Sequence, residues 1–335
     1  MMEYQLSIKN LRTCFRTPDG LLEAVSGVNL NIPKGSTYGI VGESGCGKSI
    51  TALSILGLLP KNGFISSGEI MFGYEGNEVD MVKLDPKGSK IRKIRGRHIS
   101  MVFQEPMTSF SPVLTIGRQV SEVIALHQEC DKKEARERSI EIFQKVGLSR
   151  PAQSFDSYPF NLSGGMRQRA MIAMALSCKP ELIIADEPTS ALDVTIQEQI
   201  LRLFSDLREE YGMAIMMITH DLGVIAETAK LMTVMYLGMD IETGDVKAMY
   251  SKPMHPYTKG LLASIPKPGR KFGEKLNPIP GTVPSLIDRP IGCPFESRCD
   301  SRIDGLCNRH CPPATNIDDG RIVRCFLYGG KEEMQ

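Results

Sequence analysis

The sequence predicts an α/β fold built on a mostly parallel sheet, and three patterns carry that expectation. Beyond Gly165 the apolar spacing alternates between helical and extended periods: helix over 166–177, strand over 182–186, helix over 194–211, strand over 214–219, then a helix and a strand over 231–236. Alternation of this kind implies parallel strands covered on both faces. Residues 36–41 form an apolar run that feeds a glycine-rich turn and a helix-compatible stretch over 48–59, the strand, loop and helix unit in which a phosphate loop makes physical sense. Residues 4–32 alternate apolar and polar side chains around a turn at Thr17-Pro18-Asp19-Gly20, which predicts a short antiparallel meander ahead of the main sheet.

Between those regions, Val123, Ile124, Ile140, Phe143 and Val146 recur among charged residues. That spacing predicts amphipathic helices, placed in a helical lobe spanning about 105–165. From Lys252 onward prolines become dense and periodicity fades. The expected division is therefore a domain over 1–250 and a small Cys- and Pro-rich extension over 251–335. No internal repeat is visible, which argues against two fused copies.

Forty basic and 39 acidic side chains leave a formal charge of +1, too little for a broad electrostatic grip on nucleic acid or anionic lipid. No nucleic-acid partner is expected. Apolar runs such as 182–185 and 214–218 fall far short of the roughly 20 residues that cross a bilayer. The first residues lack a basic patch followed by an apolar core, so a cytoplasmic location is expected, with any membrane association made through a protein partner. Of nine cysteines, five crowd the tail: Cys293, Cys299, Cys307, Cys311 and Cys325. In a cytosolic chain such a group reads as metal binding before disulfides.

Gly42-Glu43-Ser44-Gly45-Cys46-Gly47-Lys48-Ser49 fits the phosphate-loop pattern. Gly42, Gly45 and Gly47 let backbone N–H groups, with those of Ser44 and Cys46, turn toward phosphate at the positive end of the following helix. Lys48 can neutralise the β and γ phosphates, and the Ser49 hydroxyl can bind Mg²⁺. Leu182-Ile183-Ile184-Ala185-Asp186-Glu187 is four apolar residues ending in two acids, which sets carboxylates at the carboxyl edge of a parallel sheet, where α/β folds bind ligands. Asp186 would hold Mg²⁺, and Glu187 would act as general base toward an attacking water.

Leu162-Ser163-Gly164-Gly165-Met166-Arg167-Gln168-Arg169, directly before a helix, resembles the signature sequence of ATP-binding cassette (ABC) proteins. The resemblance implies an ABC-type ATPase in which Ser163, Gly164 and Gly165 bind the γ-phosphate of ATP held by the opposing subunit. Met166 stands where the family more usually has Gln, a variant similar to that of the oligopeptide and dipeptide importer branch. Other matches fall in family order. Gln104 in Val102-Phe103-Gln104-Glu105-Pro106 resembles the glutamine that senses Mg²⁺ and water and couples to the membrane partner. Ser190-Ala191-Leu192-Asp193 resembles the loop that communicates across the dimer, with Asp193 expected to act in trans. His220 resembles the switch histidine at the γ-phosphate. Ile50, after the loop, joins the implied ATP contacts. Phe15 stands where the family places an aromatic against adenine, and Val25 is a lesser candidate.

His255-Pro256-Tyr257-Thr258-Lys259, Ile279-Pro280-Gly281 and Gly292-Cys293-Pro294-Phe295 resemble the C-terminal extension of the peptide and nickel importer branch. Cys293, Cys299, Cys307 and Cys325, separated by five, seven and seventeen residues, match that extension's cysteine positions, for which the resemblance implies a [4Fe–4S] cluster. Structural Zn²⁺ and unligated thiols are the alternatives, and Cys311 is a fifth thiol outside the pattern. The resemblance thus implies an ATPase that drives a peptide importer. Its expected partners are a second ATPase subunit, two permease subunits and an extracytoplasmic solute-binding protein, at the cytoplasmic face of the membrane.

Overall fold

A computed structural model describes residues 4–105, 109–190, 192–265, 279–287, 289–317 and 319–329. In chain order its strands are β1 (Tyr4–Thr17), β2 (Gly20–Pro33), β3 (Thr37–Val41), β4 (Gly63–Tyr74), β5 (Asn77–Asp80), β6 (Ile99–Val102), β7 (Leu182–Asp186), β8 (Ala214–Thr219), β9 (Leu231–Tyr236), β10 (Met239–Asp245), β11 (Thr315–Asn316) and β12 (Ile322–Val323). The helices are α1 (Lys48–Leu56), α2 (Ser89–Ile94), α3 (Ile116–His127), α4 (Lys132–Lys145), α5 (Pro151–Phe155), α6 (Gly164–Leu176), α7 (Val194–Tyr211), α8 (Leu222–Thr228), α9 (Val246–Ser251) and α10 (Pro256–Ala263). They form two units interleaved along the sequence. One gathers Asn31–Thr37 and Met71–Ile218 with the chain up to Leu6; the other gathers Ser7–Leu30, Tyr38–Ile70 and the chain from Thr219 onward.

In the first unit β6, β7 and β8 run parallel, with Ile99 opposite Leu182 and Leu182 opposite Ala214. Every residue of β7 is buried, which is why it reads as a continuous apolar run instead of an alternating one. The helical lobe follows its own period: Ile116, Val120 and Ile124 of α3 and Ala135, Ser139, Ile142 and Phe143 of α4 are buried. Thr115 caps α3 by accepting from Arg118 N–H at 3.3 Å, and Asp131 caps α4 by accepting from Glu134 N–H at 2.8 Å. Each cap satisfies one of the first-turn donors that a helix cannot pair internally.

In the second unit β3 runs parallel to β9, with Tyr38 opposite Leu231. Antiparallel β10, β12 and β11 continue from β9. The Thr17 hydroxyl donates to Gly20 O at 2.8 Å in the turn that joins β1 to β2, as the turn residues predict. Helix α1 stops at Leu56, short of the expected 59, because Gly57 adopts φ 60° and turns its N–H back onto the carbonyls of Leu53 and Ser54. This left-handed stop suits glycine, which has no Cβ to clash. Described residues of the tail are tied to this sheet despite their weak periodicity. Val323 pairs with Glu242 of β10, Arg324 forms an ion pair with buried Asp240 at 3.2 Å, and buried Glu242 accepts the N–H groups of Met254 and His255 at 3.0 and 2.9 Å.

Candidate functional site

The phosphate-loop residues lie between β3 and α1 in the second unit. Gly42, Gly45 and Gly47 have φ of 156°, 79° and 99°, values that L side chains rarely adopt. A Cβ on Gly47 would also stand 2.6 Å from Ala24 O, and one on Gly42 would collide with Met235 O. Lys48 is buried, and its ammonium donates to the carbonyls of Gly42 at 2.7 Å and Glu43 at 3.0 Å. Cys46 is buried beside it, and burial pushes its thiol pKa up while Lys48 draws it down. Ser44 and Gly45 are exposed, and Ser49 and Ile50 are half-buried. The loop thus presents its tip to solvent at a helix N-terminus, with a cation held inside its curve, an arrangement suited to a phosphate chain.

The acidic pair lies in the first unit. Asp186 is the last residue of β7 and is buried. Glu187 follows at φ 46°, a left-handed backbone that costs a non-glycine residue about 1 kcal/mol or more. Its N–H is held by Ile218 O at 2.8 Å, which turns the half-buried side chain out of the strand. Gln104, just past β6, donates from Nε2 to Glu187 Oε2 at 3.1 Å. These two groups, 83 residues apart in the sequence, are in contact.

Ser163 caps α6 by accepting from Met166 N–H at 3.3 Å. Ser163 and Gly164 are exposed, and nothing in the unit lies within 4 Å of a Cβ built on Gly164. Asp193 is also exposed and caps α7, accepting from Ile196 N–H at 3.0 Å. Both helix starts are accessible, as an approach by a second molecule requires. Ala191 of the same loop lies outside the described residues. In the second unit exposed His220 follows β8, and the half-exposed Phe15 ring packs over Gly63. Val25, the lesser candidate, is instead a core residue: it is fully buried and has no side-chain surface left to meet adenine.

Cys293, Cys299, Cys307 and Cys325 line one small cavity with His255, Phe295 and Phe326. The Cys293 thiol pKa is pushed up to about 12, chiefly by burial and further by the neighbouring Cys307, Cys325 and Cys299. Cys311 stands elsewhere, with its Sγ 3.9 Å from Met239 Sδ. None of the nine cysteines is bridged. Among the described residues no three His, Cys, Asp or Glu side chains are arranged to hold a metal ion.

Sequence reasoning missed a set of residues around Glu43. Arg298 pairs with its carboxylate, at 2.8 Å from Nη1 to Oε2 and 3.2 Å from Nη2 to Oε1. Tyr257 Oη accepts the Glu43 N–H at 3.0 Å. The partners are more than 200 residues apart, and no local pattern links them. No helix among the described residues is long and apolar enough to cross a membrane.

Residues 25–190 match a family model described as ABC transporter, and residues 241–307 match one described as the C-terminal region of oligopeptide/dipeptide transporters. The chain is 48% identical over 333 residues to the oligopeptide transport ATP-binding protein AppD of Bacillus subtilis, covering 98% of each chain. It is 45% identical to the dipeptide transport ATP-binding protein DppD of Bacillus subtilis, covering 99% of this chain and 97% of that one. With the oligopeptide transport ATP-binding protein OppD of Escherichia coli it shares 43% identity, over 96% and 92% of the two chains. Among solved structures, the dimeric post-hydrolysis state of the ATP-binding cassette MJ0796 bound to ADP and Pi matches with a TM-score of 0.64 and 29% identity, covering 72% of this chain and 98% of that one.

Proposed function

Since the chain belongs to the ABC transporter family, and to its oligopeptide and dipeptide ATP-binding branch, we propose that it hydrolyses ATP to power a membrane importer of di- or oligopeptides or of a related small solute such as nickel. The observation that carries this reading is the Gln104 to Glu187 contact at the end of β7, 3.1 Å long. An exposed amide fixes a carboxylate at the sheet edge where α/β folds act on ligands. Glu187 accepts a proton from the attacking water, and Gln104 holds it in place. Lys48 and the N–H groups of the loop bind the β and γ phosphates. Ser49, Gln104 and Asp186 offer hard oxygen donors that suit Mg²⁺, which supplies charge neutralisation on the phosphates. Phe15 stacks on adenine, and His220 contacts the γ-phosphate.

Ser163, Gly164, Gly165 and Asp193 serve ATP held by a second cassette, identical or paralogous. Their exposed helix starts support that reading. Loss of the γ-phosphate that both cassettes grip then loosens the pair, and the swing is passed to two permease subunits near Gln104. The chain works at the cytoplasmic face of the membrane with an extracytoplasmic solute-binding protein as supplier, and its extension begins near Tyr250. Permease proteoliposomes carrying this chain should take up labelled dipeptide or nickel only with ATP inside. ATP hydrolysis without ATP-dependent uptake of either would contradict the importer.

The four cavity thiols are further proposed to ligate a [4Fe–4S] cluster that would cross-link the tail, supplying order and no chemistry on ATP. Support comes from their shared cavity and the separate placement of Cys311. Anaerobically purified protein should contain about four iron and four sulfide per chain, lose both in Cys325→Ser and keep both in Cys311→Ser. Stoichiometric zinc without iron would overturn the cluster, and iron loss only in Cys311→Ser would overturn the ligand set.

A further inference from the structure

Glu43 is the second residue of the phosphate loop, and each of its polar groups is engaged within its own unit. Its carbonyl accepts from the Lys48 ammonium at 3.0 Å and from Cys46 N–H at 3.3 Å. Its N–H goes to Tyr257 Oη, and both carboxylate oxygens go to Arg298. Arg298 is itself held firmly. It is buried to 6% exposure, its Nε donates to Pro280 O at 2.9 Å, and its guanidinium lies 5.9 Å from the rings of Tyr236 and Phe295. Tyr236, Tyr257 and Phe295 pack on one another with centroids 4.6 to 5.3 Å apart. A bidentate pair to a buried guanidinium fixes a carboxylate in both position and plane. One residue, Glu43, therefore joins the C-terminal extension to the carbonyl that touches Lys48.

We propose that Arg298 and Tyr257 are positioning residues of the ATP site, holding the Glu43 peptide so that the loop and Lys48 are set for phosphate before nucleotide arrives. Preorganisation of this kind raises affinity by removing ordering cost from the binding step. The inference rests on reading 42–49 as the phosphate loop. It makes the extension part of the ATPase, since the residue directly after Arg298 is Cys299 of the thiol cavity.

The test is equilibrium titration of the full-length chain with a fluorescent ATP analogue, paired with nucleotide-free melting to report folding. Arg298→Ala and Glu43→Gln should each weaken binding about tenfold, the scale of one charge-assisted hydrogen bond. The double variant should be no weaker than either single one, because both break the same link. Arg298→Lys, a point cation without the fork, should fall between Ala and wild type. If Arg298→Ala fails to fold, near-isosteric Glu43→Gln decides. Wild-type affinity in Glu43→Gln, or additive losses in the double variant, would overturn the proposal. Lys48→Ala separates the two readings: normal binding there defeats the phosphate loop itself, whereas lost binding there with normal Glu43→Gln defeats only the clamp.

Discussion

Glu187 shows what a single position can demand of the backbone. Its φ of 46° is unfavourable for any side chain with a Cβ, and the Ile218 carbonyl holds it there through the Glu187 N–H at 2.8 Å. Strain of this kind persists where surrounding structure over-determines it and clusters at functional sites. Asp240 poses a different demand. Burial pushes its carboxyl pKa up to about 6, although Arg324 at 3.2 Å pulls it down. The folded chain therefore binds this proton more tightly than the unfolded chain does. The group's favourable contribution is full below about pH 4 and is lost as pH rises through 6, a change of about 3 kcal/mol. Asp240→Asn should remove that fall. Urea midpoints between pH 4 and 6 should rise more steeply with pH, or fall less, in the variant than in wild type, and identical profiles would show that Asp240 does not titrate in this way.

At the scale of elements, the helical lobe depends on close approach of α3 to α5. Gly117 lies in the first turn of α3, where an added Cβ would run into the Phe155 ring, and Phe155 in turn packs 6.4 Å from Phe143 of α4. Overpacking a filled core costs about 1–3 kcal/mol. Gly117→Ala should lower the melting temperature, and an unchanged or higher value would mean that the ring moves aside freely. The elements best read from sequence were those with one period and a clear end. β7, α7, β8 and β9 match their expected bounds because the buried parallel strands are nearly continuous apolar runs and α7 carries Asp193 at its start and Gly212 at its end. Strands β4, β5 and β10 went unread: Ser66, Ser67 and Gly68 interrupt β4, and β10 carries Asp240 and Glu242 into the core. Buried acids are stable there only through distant partners such as Arg324 and the 254–255 backbone, which local pattern does not reveal. The same holds for the site. Glycine loop, acidic strand end and signature were legible because phosphate chemistry needs adjacent residues, whereas the Arg298 and Tyr257 contacts with Glu43 depend on tertiary structure alone.

For the whole molecule, the proposed function asks one chain to serve its own nucleotide and, through the exposed Ser163 and Asp193 helix starts, that of a partner cassette. An isolated chain should therefore hydrolyse ATP slowly at dilutions that keep it monomeric, with turnover per chain rising as cassettes pair. The most direct test of the central claim is ATP turnover and ATP binding measured together for Glu187→Gln in the reconstituted transporter. Gln keeps the size of Glu and its bond to water but cannot take a proton, so binding should match wild type while steady-state hydrolysis falls by about a hundredfold or more, the usual worth of a general base. Hydrolysis at the wild-type rate in Glu187→Gln would contradict the account.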